Sequence, residues 1–145
     1  MEGNSGTETE FLVLQKFGLR PRITLQSASS AARIYCMMKE EYFELAVNAF
    51  GDDKLDEAID NYNKALEIDP NYQDALHGLG MALFNRGRVE DAIATAKKLI
   101  EIDPDDILAH TSLSMFYQSQ GRIEEAEKEG NVARILGWKQ ELRKG

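Results

Sequence analysis

The sequence predicts an all-α fold, a short right-handed solenoid of three stacked helical hairpins, on three observations. First, a motif recurs: Lys54-Leu55-Asp56-Glu57-Ala58-Ile59 returns as Arg88-Val89-Glu90-Asp91-Ala92-Ile93, and its opening again as Arg122-Ile123-Glu124-Glu125-Ala126. Second, the period is fixed, because Ala58, Ala92 and Ala126 stand 34 residues apart, as do Pro70 and Pro104. A period of that order is the mark of a repeat array, in which no unit can bury its apolar face alone. Third, apolar residues around each motif fall at i, i+3, i+4 and i+7, the spacing of one helix face.

The elements follow in order. From Met38 the spacing turns helical, with Tyr42, Leu45, Ala46 and Ala49 on one face. Gly51-Asp52-Asp53 breaks this helix with residues that tolerate a chain reversal. A second helix is expected at about Leu55–Ile68, facing inward through Ala58, Tyr62, Ala65 and Leu66, until Asp69-Pro70 ends it. The next unit repeats this pattern with Leu76, Leu79, Gly80 and Leu83, a turn at Gly87, then Ala92, Ala96, Leu99 and Ile100, closed by Asp103-Pro104. The third has His110, Leu113, Ser114 and Tyr117, a turn at Gly121, then Ala126, Gly130, Ala133 and Leu136. Its second helix is expected to be the weakest, since Gly130 inside a helix costs about 1 kcal/mol relative to Ala.

The domain reading is therefore a non-repeat extension over 1–37, three units at about 39–72, 73–106 and 107–138, and a tail over 139–145. Residues 1–10 are mostly Gly, Ser, Thr and Glu, too polar to gain order from burial. From Phe11 to Lys39 no acidic residue occurs, while Lys16, Arg20, Arg22 and Arg33 are spread through a Ser- and Ala-rich stretch. That composition is also an organelle transit peptide's, but Glu2, Glu8 and Glu10 precede it and Arg20-Pro21-Arg22 interrupts it. A flexible tail, with a strand-like or helical piece at Ile23–Leu25, accounts for it better. Translation beginning at Met37 or Met38 accounts for it equally well.

Bulk properties exclude several functions. The net charge of −8 is uneven, for residues 1–36 carry four basic and three acidic groups and the remainder carries −9. Such a surface repels nucleic acid, which needs clustered Lys and Arg. The single cysteine, Cys36, allows neither an intrachain disulfide nor a cysteine zinc cluster, in keeping with a cytoplasmic location. No apolar run approaches membrane-spanning length, and Phe11-Leu12-Val13-Leu14 is too short for a secretory signal.

In register, residues 39–138 resemble three tandem tetratricopeptide repeats. Position 7 of that repeat is Leu45, Leu79 and Leu113; position 8, a small residue, is Ala46, Gly80 and Ser114; position 20 is Ala58, Ala92 and Ala126. The departures are Asp53 in place of glycine at position 15, the loss of bulk at position 24 (Tyr62, Ala96, Gly130), and Arg134 where an apolar residue is usual. Such arrays usually end in an additional polar-faced helix. Here Trp138 is expected to fold back as a lid, or else an apolar face stays open and favours self-association.

The resemblance implies a concave face lined by the first helices through repeat positions 2, 5, 9, 12 and 13. These are Glu40, Phe43, Val47, Phe50 and Gly51; Asp74, His77, Met81, Phe84 and Asn85; and Leu108, Thr111, Met115, Gln118 and Ser119. The stripe is apolar at its centre and acidic at its rim, which suits an amphipathic helix bound through its apolar face. Some of these side chains are also expected to pack between neighbouring first helices, and residues 11–36 are a second candidate occupant. One subgroup of the family clamps the acidic tails of heat-shock chaperones with Lys, Arg and Asn. The corresponding positions here are Phe43, Val47, Gly78, Leu108 and Ser112, and none matches.

Catalytic chemistry is not indicated. Gly78-Leu79-Gly80 lacks the third glycine of a nucleotide loop and lies inside a helix. His77 and His110 have no cysteine or obvious carboxylate to complete a metal site. Paired acids such as Glu57 and Asp60 read as wet helix faces. The expected function is non-catalytic capture of a protein or peptide, without cofactor, metal, nucleic acid or membrane. The alternative is a structural subunit that self-associates through its last repeat.

Overall fold

The structure, a computed structural model, describes the backbone from residue 28 to residue 145 and side chains from residue 38 onward. Expectations for residues 1–27, including the transit-peptide reading and the element at Ile23–Leu25, lie outside the described residues. The described residues form six helices: α1 (Ala28–Gly51), α2 (Leu55–Ile68), α3 (Gln73–Asn85), α4 (Val89–Ile102), α5 (Ile107–Ser119) and α6 (Ile123–Lys144). They pair as three antiparallel hairpins, α1 with α2, α3 with α4 and α5 with α6. Each hairpin leans on the next through its second helix.

The turns show why the period holds. Asp53, Gly87 and Gly121, 34 residues apart, all have positive φ, at 60°, 90° and 73°. At each turn the amide following that residue donates back across the helix end: Lys54 to the Ala49 carbonyl, Arg88 to Leu83 and Arg122 to Tyr117, at 2.8–3.0 Å. This is the left-handed cap that satisfies the last orphan carbonyls of a helix. Aspartate tolerates the left-handed region better than most residues, which is how Asp53 replaces glycine. The second helices then begin with acidic pairs, Asp56 and Glu57, Glu90 and Asp91, Glu124 and Glu125, which complement the helix dipole.

At the other end, Asp69 and Asp103 stop α2 and α4 with extended backbone, and their carboxylates accept from the amides of Asn71 and Asp105 at 3.1 and 3.0 Å. The core is built from small residues where helices approach and large ones where they diverge. Ala46, Ala58, Ala65, Ala75, Ala82, Ala92 and Ala109 are fully buried, and Leu76, Leu99, Leu113 and Phe116 are the largest side chains shut away from solvent.

Three expectations change. Helix α1 begins at Ala28, ten residues before Met38 and inside the segment read as an extension. Leu45 is 49% exposed although its equivalents Leu79 and Leu113 are 7% and 2% exposed. Leu79 borders the α2 residues Leu66 and Asn63 of the preceding hairpin, and among the described residues nothing precedes the hairpin of Leu45. Trp138 does not fold back. Residues 139–144 continue α6 as helix, and Trp138 stands 72% exposed on it. As the weak sequence pattern implies, α6 buries only Ala126 completely.

Candidate binding groove

The first helices α1, α3 and α5 carry the residues expected to line the concave face, and the structure divides them into two groups. Phe43, Phe50, Met81, Phe84 and Met115 are partly buried and packed against the core. The Phe43 ring lies 5.4 Å from Tyr72 and 6.1 Å from Tyr62, tilted to both. Phe84 stacks on the buried Phe116 at 5.0 Å. Such ring pairs contribute about 0.5–1.5 kcal/mol beyond their burial, so these side chains hold neighbouring hairpins together first. The second group faces solvent: Val47 is 44% and Leu108 58% exposed, and Thr111 and Gln118 are exposed too. Thr111 turns its hydroxyl back to the Ile107 carbonyl at 2.8 Å.

His77 belongs to neither group. Its Nε2 lies 2.7 Å from Oδ2 of Asp106, with only 19% and 12% of the two side chains exposed. Asp106 is also the N-cap of α5, where Oδ1 accepts from the Ala109 amide at 3.1 Å. One carboxylate thus starts a helix and holds the preceding hairpin. The same place in the first hairpin is taken by Phe43 against Tyr72, the N-cap residue of α3, which makes no side-chain cap hydrogen bond. Tyr72 and Asp106 are 34 residues apart, and that period, followed one position past the closing loop, was the signal for both.

Beside Tyr72, Lys39 reaches Asp69 at 2.7 Å and lies 4.7 Å above the Tyr72 ring. The hydrogen bond from Lys39 holds the Asp69 carboxyl below the usual aspartate range. Burial, with Asp74 and Glu40 adding to it, pushes the Tyr72 phenol up. Glu40 and Asp74 are exposed and give the groove an acidic rim.

His110 fills the large core position expected of it, 6% exposed, with Nδ1 2.7 Å from Glu129 and Nε2 2.9 Å from the Pro104 carbonyl. Each histidine therefore has a carboxylate that spacing alone did not reveal. Among the described residues, however, no group of three or more His, Cys, Asp or Glu could hold a metal ion. No helix among them is long and apolar enough to cross a membrane.

Hairpins in 34-residue register, stacked through their second helices with the first helices on one side, define a helical-repeat solenoid. Residues 49–116 match the family model described as tetratricopeptide repeat. Over that segment the chain resembles the tetratricopeptide-repeat family. Among solved structures it is similar to a crystal structure of MamA, with 28% identity and a TM-score of 0.69 over 77% of this chain and 67% of that one. A second MamA structure gives 27% identity and 0.65 over 68% and 59%. The chain thus spans about 59–67% of the MamA chains' length. The second TPR of Spaghetti (RPAP3) bound to the HSP90 peptide SRMEEVD shares the fold at 17% identity, with a TM-score of 0.65 over 68% of this chain and 92% of that one. No curated protein matches the sequence.

Proposed function

We propose that this protein is a non-catalytic interaction module whose concave face binds a helical or extended segment of another protein. The observation that carries the reading is the exposure of Val47 and Leu108 at the two ends of a half-buried apolar stripe, beside the acidic Glu40 and Asp74. An amphipathic segment with basic edges complements that surface in both polarity and charge. The peptide held by the RPAP3 domain supports the use of this fold as a peptide holder. The ligand chemistry differs, because Phe43, Val47, Gly78, Leu108 and Ser112 supply no cation to grip an acidic tail. A single cysteine, which allows no intrachain disulfide, suits a reducing, cytoplasmic setting.

The test uses three probes in titration calorimetry: an amphipathic helical peptide of Leu and Lys, a scrambled peptide of the same composition, and SRMEEVD. The amphipathic peptide should bind well above the scramble, and SRMEEVD should not bind. Replacing Val47 and Leu108 together by Asn should weaken the complex by about tenfold or more, the order expected when exposed anchor side chains are lost. Preference for SRMEEVD, or equal binding of scramble and helix, would remove the basis of the proposal. Phe84→Glu is the poorer test, since Phe84 stacks on Phe116 in the core.

A further inference from the structure

The cations of this chain avoid the first helices. From Glu40 on, α1, α3 and α5 contain no Lys or Arg, and every later cation stands in a turn or on a second helix. The first helices do expose Glu40, Glu44 and Asp74. Lys39, just before them, is turned to Asp69 and the Tyr72 ring. The apolar stripe of the groove therefore lies in a field of one sign, with no Lys or Arg on its own helices to offset the acids.

One stretch of the sequence complements it. Residues 11–27, which lie outside the described residues, contain Lys16, Arg20 and Arg22 and no acid. From 16 to 26 the residues alternate: Phe17, Leu19, Ile23 and Leu25 fall at odd positions, and Lys16, Arg20, Arg22, Thr24 and Gln26 at even ones. A period of two gives an extended chain one apolar side and one basic side. Pro21 suits the same conformation, since proline excludes a continuous helix and favours extended backbone in the residue before it.

The reach is right as well. Glu40 stands twelve residues after Ala28, the start of α1, which is about 18 Å along the helix. Five residues of extended chain, 23–27, span about 17 Å. A chain doubling back at Ala28 thus brings Arg22 level with Glu40, at the acidic edge of the groove. The next six residues, to Lys16, add about 20 Å, which passes the level of Val47 about 10 Å beyond Glu40. A segment tethered this closely meets its site at an effective concentration of about 1 mM. A contact too weak to join two copies at micromolar concentration is then still filled within one.

We propose that residues 16–26 lie in the groove of their own chain, with their apolar side on the stripe of Phe43, Met81 and Met115 and with Arg20 and Arg22 near Glu40 and Asp74. Any outside segment then competes with them. The inference rests on the groove assignment above and adds the regulation of that site.

Two experiments on the full chain test it. In the first, a benzophenone amino acid replaces Phe17 and the crosslinked peptides are mapped after irradiation at low concentration. The expected product has the mass of a monomer and joins position 17 to α1, α3 or α5, with Met81 and Met115 as prime acceptors. Crosslinks confined to the second helices, crosslinks found only at the mass of a dimer, or none at all would each overturn the proposal. In the second, Phe17→Asn with Leu19→Asn leaves the charge unchanged and alters no described helix. The amphipathic peptide of Leu and Lys should bind this variant about tenfold more tightly than the parent, as expected when the open fraction of the groove rises from about a tenth to nearly all. Equal affinity would overturn the proposal and leave the groove reading standing. Peptide bound by neither chain, with the crosslinks to the first helices in place, would remove the outside partner and keep residues 16–26 as the occupant.

Discussion

Two glycines two residues apart on α3 should respond to the same substitution with opposite sign. Helix propensity favours alanine over glycine by about 1 kcal/mol at either site. At Gly80 a Cβ would lie 3.8 Å from the Phe116 ring and 3.9 Å from Thr95, ordinary contact distances. Gly80→Ala should therefore stabilise the protein by about 0.5–1 kcal/mol. At Gly78 a Cβ would lie 2.3–2.5 Å from the Tyr62 ring and its hydroxyl. Tyr62 is 3% exposed and in ring contact with Phe43, so it has no free space to move into. Overpacking of this kind costs typically about 1–3 kcal/mol or more; with the helix gain set against it, Gly78→Ala should destabilise by about 1–3 kcal/mol. Urea unfolding at constant m-value measures both. Tyr62→Leu should absorb much of the damage in a double-mutant cycle, giving a coupling well above about 0.5 kcal/mol. If Gly78→Ala is as stable as the parent, or the cycle shows no coupling, the packing account of this junction is wrong.

Other expectations follow from the turns and the paired side chains. Asp53→Gly should raise stability by up to about 1 kcal/mol by relieving a side chain at positive φ, and Gly87→Ala should lower it by about as much; thermal midpoints of the two variants decide. Asp69 has a folded pKa below its unfolded one, so its pairing stabilises the protein above the ordinary aspartate pKa of about 3.9 and is lost as pH falls from there through the lower folded value. Asp69→Asn, which keeps an acceptor for the Asn71 amide, should flatten that acid limb in a series of urea midpoints and change little in its shape at neutral pH. His110→Leu strands the Glu129 carboxylate and the Pro104 carbonyl in a half-buried pocket and should cost about 2–3 kcal/mol, read in the same way.

The fold was legible because its determinants are local and periodic. Small residues at Ala58, Ala92 and Ala126, turn residues at Asp53, Gly87 and Gly121, and the two Asp-Pro steps each act within a few residues of themselves. What spacing did not convey depends on neighbours in space. The fading bulk at Tyr62, Ala96 and Gly130 was visible as a trend, but its reason lies in the next hairpin: the large Tyr62 faces Gly78. The position equivalent to Gly78 one unit later is Ser112, which the 34-residue register matches with the smaller Ala96 of the preceding unit. Likewise, Phe84 reads as a soft groove residue in register, while its stacking on Phe116 depends on where the next helix lies. The helical start at Ala28 and the continuation through Trp138 escaped because neither carries the repeat pattern that fixed the other boundaries.

The same register indicates where the proposed groove would discriminate between ligands. In the first two hairpins the residue at repeat position 5 is closed off by the N-cap residue of the next first helix, Phe43 by Tyr72 and His77 by Asp106. These pairs fasten one hairpin to the next and leave little of either side chain for a partner. In the third hairpin that position is Thr111, and the residue equivalent to Asp106, Gln140, lies within α6. Thr111 is exposed there, with Leu108 one turn before it and Gln118 two turns beyond. On the proposed reading, the two walled hairpins supply a fixed aromatic floor and α5 supplies the contacts that can be read. Leu108→Asn should therefore change which peptides bind, whereas Val47→Asn should lower affinity for all of them alike. A panel of amphipathic peptides varied at one anchor residue at a time separates these outcomes. Equal losses across the panel for both variants would place the discrimination elsewhere.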